Sequence, residues 1–386
     1  MTTYVALAAG DPAPWFRQRS FSNPRYVFDT IGGRYVVLCF YGSVGDAHSQ
    51  AALEAVRSRP DFFDDKAGSF FSVSIDSADE TEKRIADHYP GYRCLWDFDG
   101  SVSRLYGSLP RESVGVGDVA RRMWFVLDPT LRVLKTIPFK ADRSDIPALL
   151  GFLDTLPPPS RFAGIELQAP ILLLPNVFEP EFCEKLIGIY ESTGGEESGF
   201  MREVDGRTIA INDHAHKRRK DCIIDDQAVV RDIQRRIMRS VVPEIQKVHQ
   251  FKATRMERYI VACYAAEDEA HFRAHRDNTT KGTAHRRFAV SVNLNEDFDG
   301  GEVSFPEYGP RSFKPPLGGA VVFSCSLLHA VSKVKRGRRF AFLPFLYDDE
   351  AARIREANIT FLADGNVEYK SGLDPANPAP PTRPAP

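Results

Sequence analysis

The sequence predicts two folded domains, an α/β layer domain followed by a β-rich sandwich or barrel with helices packed outside it. Three observations carry this. The chain has 386 residues, against about 100–200 per domain. Thr155-Leu-Pro-Pro-Pro-Ser160 interrupts it with three successive prolines, which cannot continue a helix and favour an extended linker. The pattern also differs on the two sides: strand-like runs alternate with helical stripes before the prolines, whereas helices precede a run of short strands after them.

In the first half, Tyr35–Phe40 (YVVLCF) is a short apolar run of β-formers, hence a buried strand. Residues Ser49–Arg57 follow as a helix with Ala52, Leu53 and Val56 on one stripe. Phe70–Ile75 reads as a second strand and Thr81–His88 as a helix. Met123–Leu127 ends in the turn Asp128-Pro129 before the strand Arg132–Ile137. Beyond the linker, Val177–Ser192 carries Phe182, Leu186, Ile187 and Tyr190 at helical spacing. Val229, Ile233, Ile237, Val241 and Ile245 mark an amphipathic helix that Pro243 kinks or ends. Short β-rich runs then dominate: Tyr259–Tyr264, Phe288–Leu294, Glu302–Phe305, Ala320–Phe323 and Phe340–Tyr347. The expected boundaries are 1–155 for the first domain, 156–169 for a Pro-rich linker, 170–365 for the second domain, and 366–386 for a disordered Pro-rich tail.

Composition excludes several classes. Hydrophobic residues make up 43% and charged residues 26%, enough apolar surface to rule out a chain disordered throughout. A net charge of −2 gives no electrostatic reason to expect nucleic acid or an anionic membrane as partner. The start lacks a basic region ahead of an apolar core, and the longest apolar stretch, Leu317–Leu328, falls short of the ~20 residues that span a bilayer. Six scattered cysteines with no Cys-x-x-Cys pair point to a reducing, cytoplasmic setting.

The informative residues sit in the β-rich half: His275-Arg276-Asp277, then His329, then Arg339. Residues i and i+2 of a strand share a face, so His275 and Asp277 can reach one metal ion, and an antiparallel fold can bring His329 alongside. Two imidazoles and a carboxylate leave octahedral positions open, the donor set associated with non-haem Fe(II) oxygenases. Arg339 follows His329 by ten residues, behind Gly337 and at the start of a β-rich run, where a fixed guanidinium can hold a carboxylate bidentately. Between the two histidines lie Gly300-Gly-Glu-Val-Ser-Phe-Pro306 and Gly318-Gly-Ala-Val-Val-Phe323.

In that order these pieces resemble the Fe(II)/2-oxoglutarate dioxygenases of the prolyl 4-hydroxylase-like group, over roughly residues 170–350. The resemblance implies a double-stranded β-helix (jelly roll) with packed helices, holding Fe(II) on His275, Asp277 and His329, with Arg339 on the far carboxylate of 2-oxoglutarate. Tyr264 matches a family tyrosine ahead of the His-x-Asp strand, with a longer intervening segment. Asn293 stands where relatives often have a tyrosine that contacts the co-substrate. The implied cofactors are Fe(II), 2-oxoglutarate and O2, with ascorbate added to them. The implied reaction releases succinate and CO2 and hydroxylates an unactivated C–H bond of a peptidyl or amino-acid-like, prolyl-type substrate. A free small molecule is the alternative substrate, and Asp277 favours hydroxylation over halogenation, whose enzymes lack that carboxylate.

The first half, roughly residues 5–155, resembles peroxiredoxin and alkyl hydroperoxide reductase-like domains of thioredoxin-like fold, through Gly10-Asp-Pro-Ala-Pro-Trp-Phe16 and the strands already named. Their chemistry needs a thiolate at a helix N-terminus. This chain has Gly42-Ser-Val-Gly-Asp-Ala-His-Ser49 there, with Gly45 and His48 near the two dithiol positions and Ser49 near the peroxidatic one. The domain is therefore expected to be redox-silent and to serve dimerisation, giving a homodimer, or substrate docking. A binding or sensor protein is a further alternative, and a thiol peroxidase on Cys39 or Cys94 a weaker one.

Other clusters have plainer readings. His271 and His275 have the i, i+4 spacing of a helical zinc pair, but the segment is poorly helical. His214-Ala-His-Lys-Arg-Arg-Lys220 is expected as a solvated loop, one that could cover the active site. Arg231, Arg235, Arg236 and Arg239 form the solvated face of their helix.

Overall fold

The computed structural model describes residues 3–112 and 119–362, so the expected tail at 366–386 lies outside the described residues. The chain divides into two compact units, Met1–Ala169 with Pro306–Pro310, and Pro170–Phe305 with Arg311–Pro386.

The first unit is built on a five-stranded sheet in the order Tyr92–Trp96, Gly68–Ser74, Tyr35–Gly42, Met123–Leu127, Val133–Pro138. The first two pairings are parallel and the last two antiparallel. Tyr35–Gly42 is the central strand and is apolar throughout because both its faces are covered. Val37, Cys39 and Tyr41 enter one core, while Val36, Leu38 and Phe40 enter the other. The helix after it runs Ala47–Arg57, starting ahead of the apolar stripe because the Asp46 carboxylate accepts from the backbone N–H of His48 and Ser49. The helix expected at 81–88 is instead a single turn, Ala78–Thr81. Lys83 takes a left-handed φ of 53°, and the Arg84 guanidinium folds back onto Asp79 and Glu82. The fully buried Asp79 carboxylate is itself tied to the Val44 N–H and the Ser74 hydroxyl, so this segment anchors the loop after the central strand.

Among the described residues the second unit has two main antiparallel sheets and a separate hairpin that pairs Phe200–Val204 with Arg207–Ile211. The larger has the order Arg255–Glu257, Phe345–Tyr347, Phe288–Asn293, Arg338–Phe342, Ile260–Ala265, Lys220–Ile223, Glu196–Glu197, and Ala320–Ser324 joins Phe288–Asn293 to Leu172–Leu174. The smaller has the order Lys217–Arg218, His271–His275, His329–Val331, Val303–Ser304, Ser312–Phe313. Val261, Cys263, Phe340, Phe342, Val290 and Val292 share a core with the helices Pro180–Thr193, Gln227–Ser240 and Val242–His249. Pro243 sits in the first turn of the last helix, so the predicted amphipathic stripe breaks at Val241 while both pieces keep their apolar face on one core.

Strand alternation then dictates what the opposite face of the large sheet carries. Ala262 pairs with Ala341, Tyr264 with Arg339, Asn293 with Ala341 and Asp221 with Ala262, and Ser291 lies two residues before Asn293. Asp221, Tyr264, Ser291, Asn293 and Arg339 therefore share one face, turned away from the helices. On the small sheet, Val331 and His329 share a face and pair with Phe272 and His275 across a bulge. Lys217 pairs with Phe272 and joins that face.

Candidate active site

His275, Asp277 and His329 converge. One donor atom from each lies within 4.8 Å of the others. The His275 Nε2 is 3.5 Å from one Asp277 oxygen and the His329 Nε2 is 3.4 Å from the other. The antiparallel register puts His275 directly opposite His329, which closes a sequence gap of over fifty residues. Each imidazole Nδ1 faces a carbonyl: Arg273 O at 2.7 Å for His275 and Leu327 O at 3.0 Å for His329. A carbonyl only accepts, so both Nδ1 atoms carry a proton and the Nε2 of each ring is the atom turned toward Asp277. Burial, reinforced by His329, pushes His275 down to about 4, which keeps it neutral. His329 and His275, with Arg286 beyond, hold the Asp277 carboxyl well below its ordinary range against the opposing effect of burial. Two imidazoles and a carboxylate are a donor set able to hold a divalent metal with positions left open.

Arg339 is 1% exposed, and its fork is held on two sides. Nε donates to Asn293 Oδ1 at 3.0 Å and Nη2 to Ser291 Oγ at 2.8 Å. Nη1 is buried and has no hydrogen-bond partner among the described residues. An orphaned buried donor of this kind is rare unless a ligand completes it. The Tyr264 ring lies 5.4 Å from the guanidinium carbon, and its hydroxyl accepts from Arg219 Nη1 at 3.3 Å. Asn293 is thus brought to Arg339 rather than left facing open space, since its amide N–H also donates to Pro315 O. Gly300 and Gly301 explain the double-glycine motif. Both have positive φ, and a Cβ would stand 2.1 Å from Lys333 O at Gly300 and 3.0 Å from Arg339 Cδ at Gly301. Alternation turns Arg338 outward to Glu191, and Arg336, which precedes the Gly337 turn, pairs with Asp299.

The basic run expected as a solvated loop contributes directly to this interior. His214 is exposed and pairs with Glu197, but His216 lies with its ring 6.5 Å from His275, and burial pushes it down to about 4. Lys217 and Arg219 are buried. Arg219 chelates Asp221, which also takes Arg258. His271, by contrast, lies on a strand and faces the carbonyls of Glu269 and Ala215, so it forms no helical pair with His275. Asp221 is pulled down to about 2, its burial outweighed by Arg219, Lys217 and Arg258. A carboxyl depressed in the fold stabilises above its unfolded pKa and stops doing so as pH falls through the folded value. Asp221→Asn is expected to remove that dependence between about pH 4 and 2, and to destabilise by about 3–5 kcal/mol at neutral pH by leaving two guanidinium groups uncompensated. Acid and urea unfolding followed by circular dichroism check both.

Comparison with known proteins agrees with this geometry. Residues 225–347 match the 2OG-Fe(II) oxygenase superfamily and residues 9–136 the AhpC/TSA family. A PKHD-type hydroxylase of Paracoccus denitrificans is 30% identical over 182 residues, which are 44% of this chain and 75% of that protein. The chain belongs to the 2OG-Fe(II) oxygenase superfamily. The oxygenase is 38% identical over 80 residues to a PKHD-type hydroxylase of Cupriavidus metallidurans, covering 35% of it. Among solved structures, a Trichoplax adhaerens prolyl hydroxylase with a hypoxia inducible factor peptide aligns at 14% identity and TM-score 0.38, over 48% of this chain and 86% of that one. Peroxidoxin BcpB of Mycobacterium tuberculosis aligns at 19% identity and TM-score 0.33, over 39% and 99%. The oxygenase therefore carries a thioredoxin-like AhpC/TSA domain ahead of its jelly-roll domain. Among the described residues no helix is long and apolar enough to cross a membrane.

In the AhpC/TSA domain the helix N-terminus is occupied by Asp46, which also accepts from Arg122 Nη1 at 2.9 Å and the Ser49 hydroxyl at 2.6 Å. His48 turns inward to the fully buried Asp145, which takes His48 Nε2 and Trp124 Nε1 at 3.0 Å each and the Lys140 N–H at 3.1 Å. Asp145→Ala leaves these groups unpaired in the core and is expected to destabilise the domain by about 3–5 kcal/mol. Trp15, Trp96 and Trp124 are the chain's three tryptophans, so urea unfolding followed by tryptophan fluorescence reports on this domain. Cys39 and Cys94 are buried, and burial pushes the Cys94 thiol up to about 12 and raises that of Cys39 well above its ordinary value.

Proposed function

We propose that this oxygenase is an Fe(II)- and 2-oxoglutarate-dependent hydroxylase of an unactivated C–H bond in a peptidyl or amino-acid-like, prolyl-type substrate, releasing succinate and CO2. The observation that carries it is the pairing of a His-Asp-His donor set with a buried arginine whose Nη1 lacks a partner. His275, Asp277 and His329 would hold Fe(II), and the carbonyl contacts at their Nδ1 atoms fix both rings with Nε2 toward the ion. Arg339 would take the distal carboxylate of 2-oxoglutarate, with Ser291 and Asn293 holding its plane. Tyr264 accepts from a donor-only guanidinium, so its own proton points elsewhere and is available to the same carboxylate. Bound Fe(II) with 2-oxoglutarate and O2 supplies the oxidation of the C–H bond, and Asp277 fills the position a halide would need. Ascorbate is the further small molecule to test.

The AhpC/TSA domain is proposed to be redox-silent and to serve docking or dimerisation in a reducing, cytoplasmic setting. High-pKa buried thiols support this, since a peroxidatic cysteine needs an accessible thiolate. Peroxide consumption abolished by Cys39→Ser overturns it.

The oxygenase assignment is tested by anaerobic visible spectroscopy of the apo-protein with Fe(II) and 2-oxoglutarate. A charge-transfer band is expected, lost in His275→Ala and weakened in Arg339→Ala. No band in folded protein overturns the reading.

A further inference from the structure

Leu362, the last described residue, is seated on the loop that follows His275 and Asp277. Asn358 Nδ2 donates to Lys281 O at 2.9 Å, and the Lys281 Nζ lies 3.9 Å from the centre of the Phe361 ring. The Gly282 N–H donates to Thr208 Oγ1 at 3.0 Å, and a Cβ at Gly282 would stand 2.6 Å from Leu362 Cδ2. Gly282 is five residues after Asp277. Five residues span at most roughly 18 Å, so Leu362 lies within about 25 Å of that carboxylate.

The chain also leaves Leu362 in a defined direction. Leu362 bridges Thr208 in parallel, on the edge of Arg207–Ile211 opposite its hairpin partner Phe200–Val204. Among the described residues no other strand pairs with that edge. From Thr208 the strand runs on to Ile211, which is paired with Phe200. The Phe200 ring lies 4.4 Å from that of His216, and the His216 ring 6.5 Å from that of His275. The parallel bridge thus aims the following residues toward the His-Asp-His cluster. Phe200 and His216 are half-buried and Phe272 stacks on His275, so aromatic faces line this approach. Aromatic-lined grooves are the surfaces on which Pro-rich segments dock.

The sequence beyond Leu362 is Pro-rich: six of the twelve residues 375–386 are proline. The first, Pro375, is thirteen residues past Leu362. Thirteen residues reach roughly 40 Å, more than the distance to be covered.

We infer that this proline-rich segment is the enzyme's own substrate, delivered in cis from its exit at Leu362. The inference rests on the oxygenase reading above and gives its prolyl-type substrate an identity. One atom of O2 enters a ring C–H bond of proline as a hydroxyl, the other enters succinate, and the C1 carboxylate of 2-oxoglutarate leaves as CO2. Proline and 2-oxoglutarate each give up two electrons, which together reduce O2, so no further reductant is needed.

The test is peptide mass spectrometry of the full chain, before and after incubation with Fe(II), 2-oxoglutarate and isotope-labelled O2. Oxygen gained on prolines of 375–386 is expected in the wild type and absent from His275→Ala, with one succinate released per oxygen gained. An equal amount of mass-labelled His275→Ala, added as a recipient, separates the two routes of delivery. At about 10 μM protein, a tether of about millimolar effective concentration favours the wild-type chain's own segment about a hundredfold. Equal oxygen on both chains overturns delivery in cis. No oxygen on the segment overturns the inference outright. The anaerobic charge-transfer band of the same preparation reports separately on the oxygenase reading: with the band present that reading stands and the substrate lies elsewhere, and without it both fall.

Discussion

Asp277→Ala is expected to weaken Mn(II) and Fe(II) binding by at least a hundredfold and to abolish turnover. Asp277 is the one anionic donor of the three, and its oxygens lie 3.4–3.5 Å from the Nε2 atoms of both histidines. Without it a dication would meet only two imidazoles in an interior that also holds the Arg219 and Arg339 guanidinium groups, so attraction gives way to repulsion. Removing groups that merely orient a ligand already lowers metal affinity about 10–100-fold, which makes a hundredfold the lower bound for a direct ligand. The fold is expected to survive, because the Asp277 backbone N–H keeps its bond to Cys325 O and Arg286 its ion pair with Glu257. Mn(II) titration followed by electron paramagnetic resonance checks the affinity, and circular dichroism the fold. An unchanged affinity would move the metal to other residues.

The proposed metal donors and the proposed anchor arginine were readable as a cluster because their logic is local. His275 and Asp277 sit two residues apart, and Arg339 is told from Arg338 by the alternation of a single strand, which the ion pair of Arg338 with Glu191 bears out. The interior cations were not readable in the same way. Lys217-Arg-Arg-Lys220 has the composition of a solvated segment, and only pairing with a strand more than fifty residues away turns Lys217 inward. A signal was present: Lys217, Arg219 and Asp221 are inward at period two, and Arg218 and Lys220 lie between them. Ser291 carried a similar signal, two residues before Asn293 on a strand already recognised. The helix expected at 81–88 failed for a different reason. A run of charged residues was read by helical propensity, but Asp79 and Arg84 are committed to the loop after the central strand, and tertiary contacts override propensity there.

Arg339→Met is expected to lower 2-oxoglutarate affinity about 10²–10³-fold while leaving Mn(II) affinity unchanged. Methionine fills part of the same volume but offers no donor, so the distal carboxylate would lose a charge-assisted partner in a site closed to water. Truncating one member of a buried charge pair costs about 2–5 kcal/mol, and each 1.4 kcal/mol is tenfold. Arg339→Lys is expected to recover only part of the loss, since an ammonium keeps the charge but cannot reproduce a fork held on one side by Asn293 and on the other by Ser291. Asn293→Ala separates charge from geometry. The guanidinium stays, but Nε loses its acceptor and the plane is free to turn, so a loss of about tenfold is expected, the lower end of the about 1.5–3 kcal/mol of a hydrogen bond to a charged group. Calorimetric titration of 2-oxoglutarate into the Mn(II)-loaded variants measures all three. The ordering Asn293→Ala, then Arg339→Lys, then Arg339→Met is what an arginine held in place for a carboxylate requires. Equal affinities across the series would mean that the unpartnered Nη1 serves some other ligand.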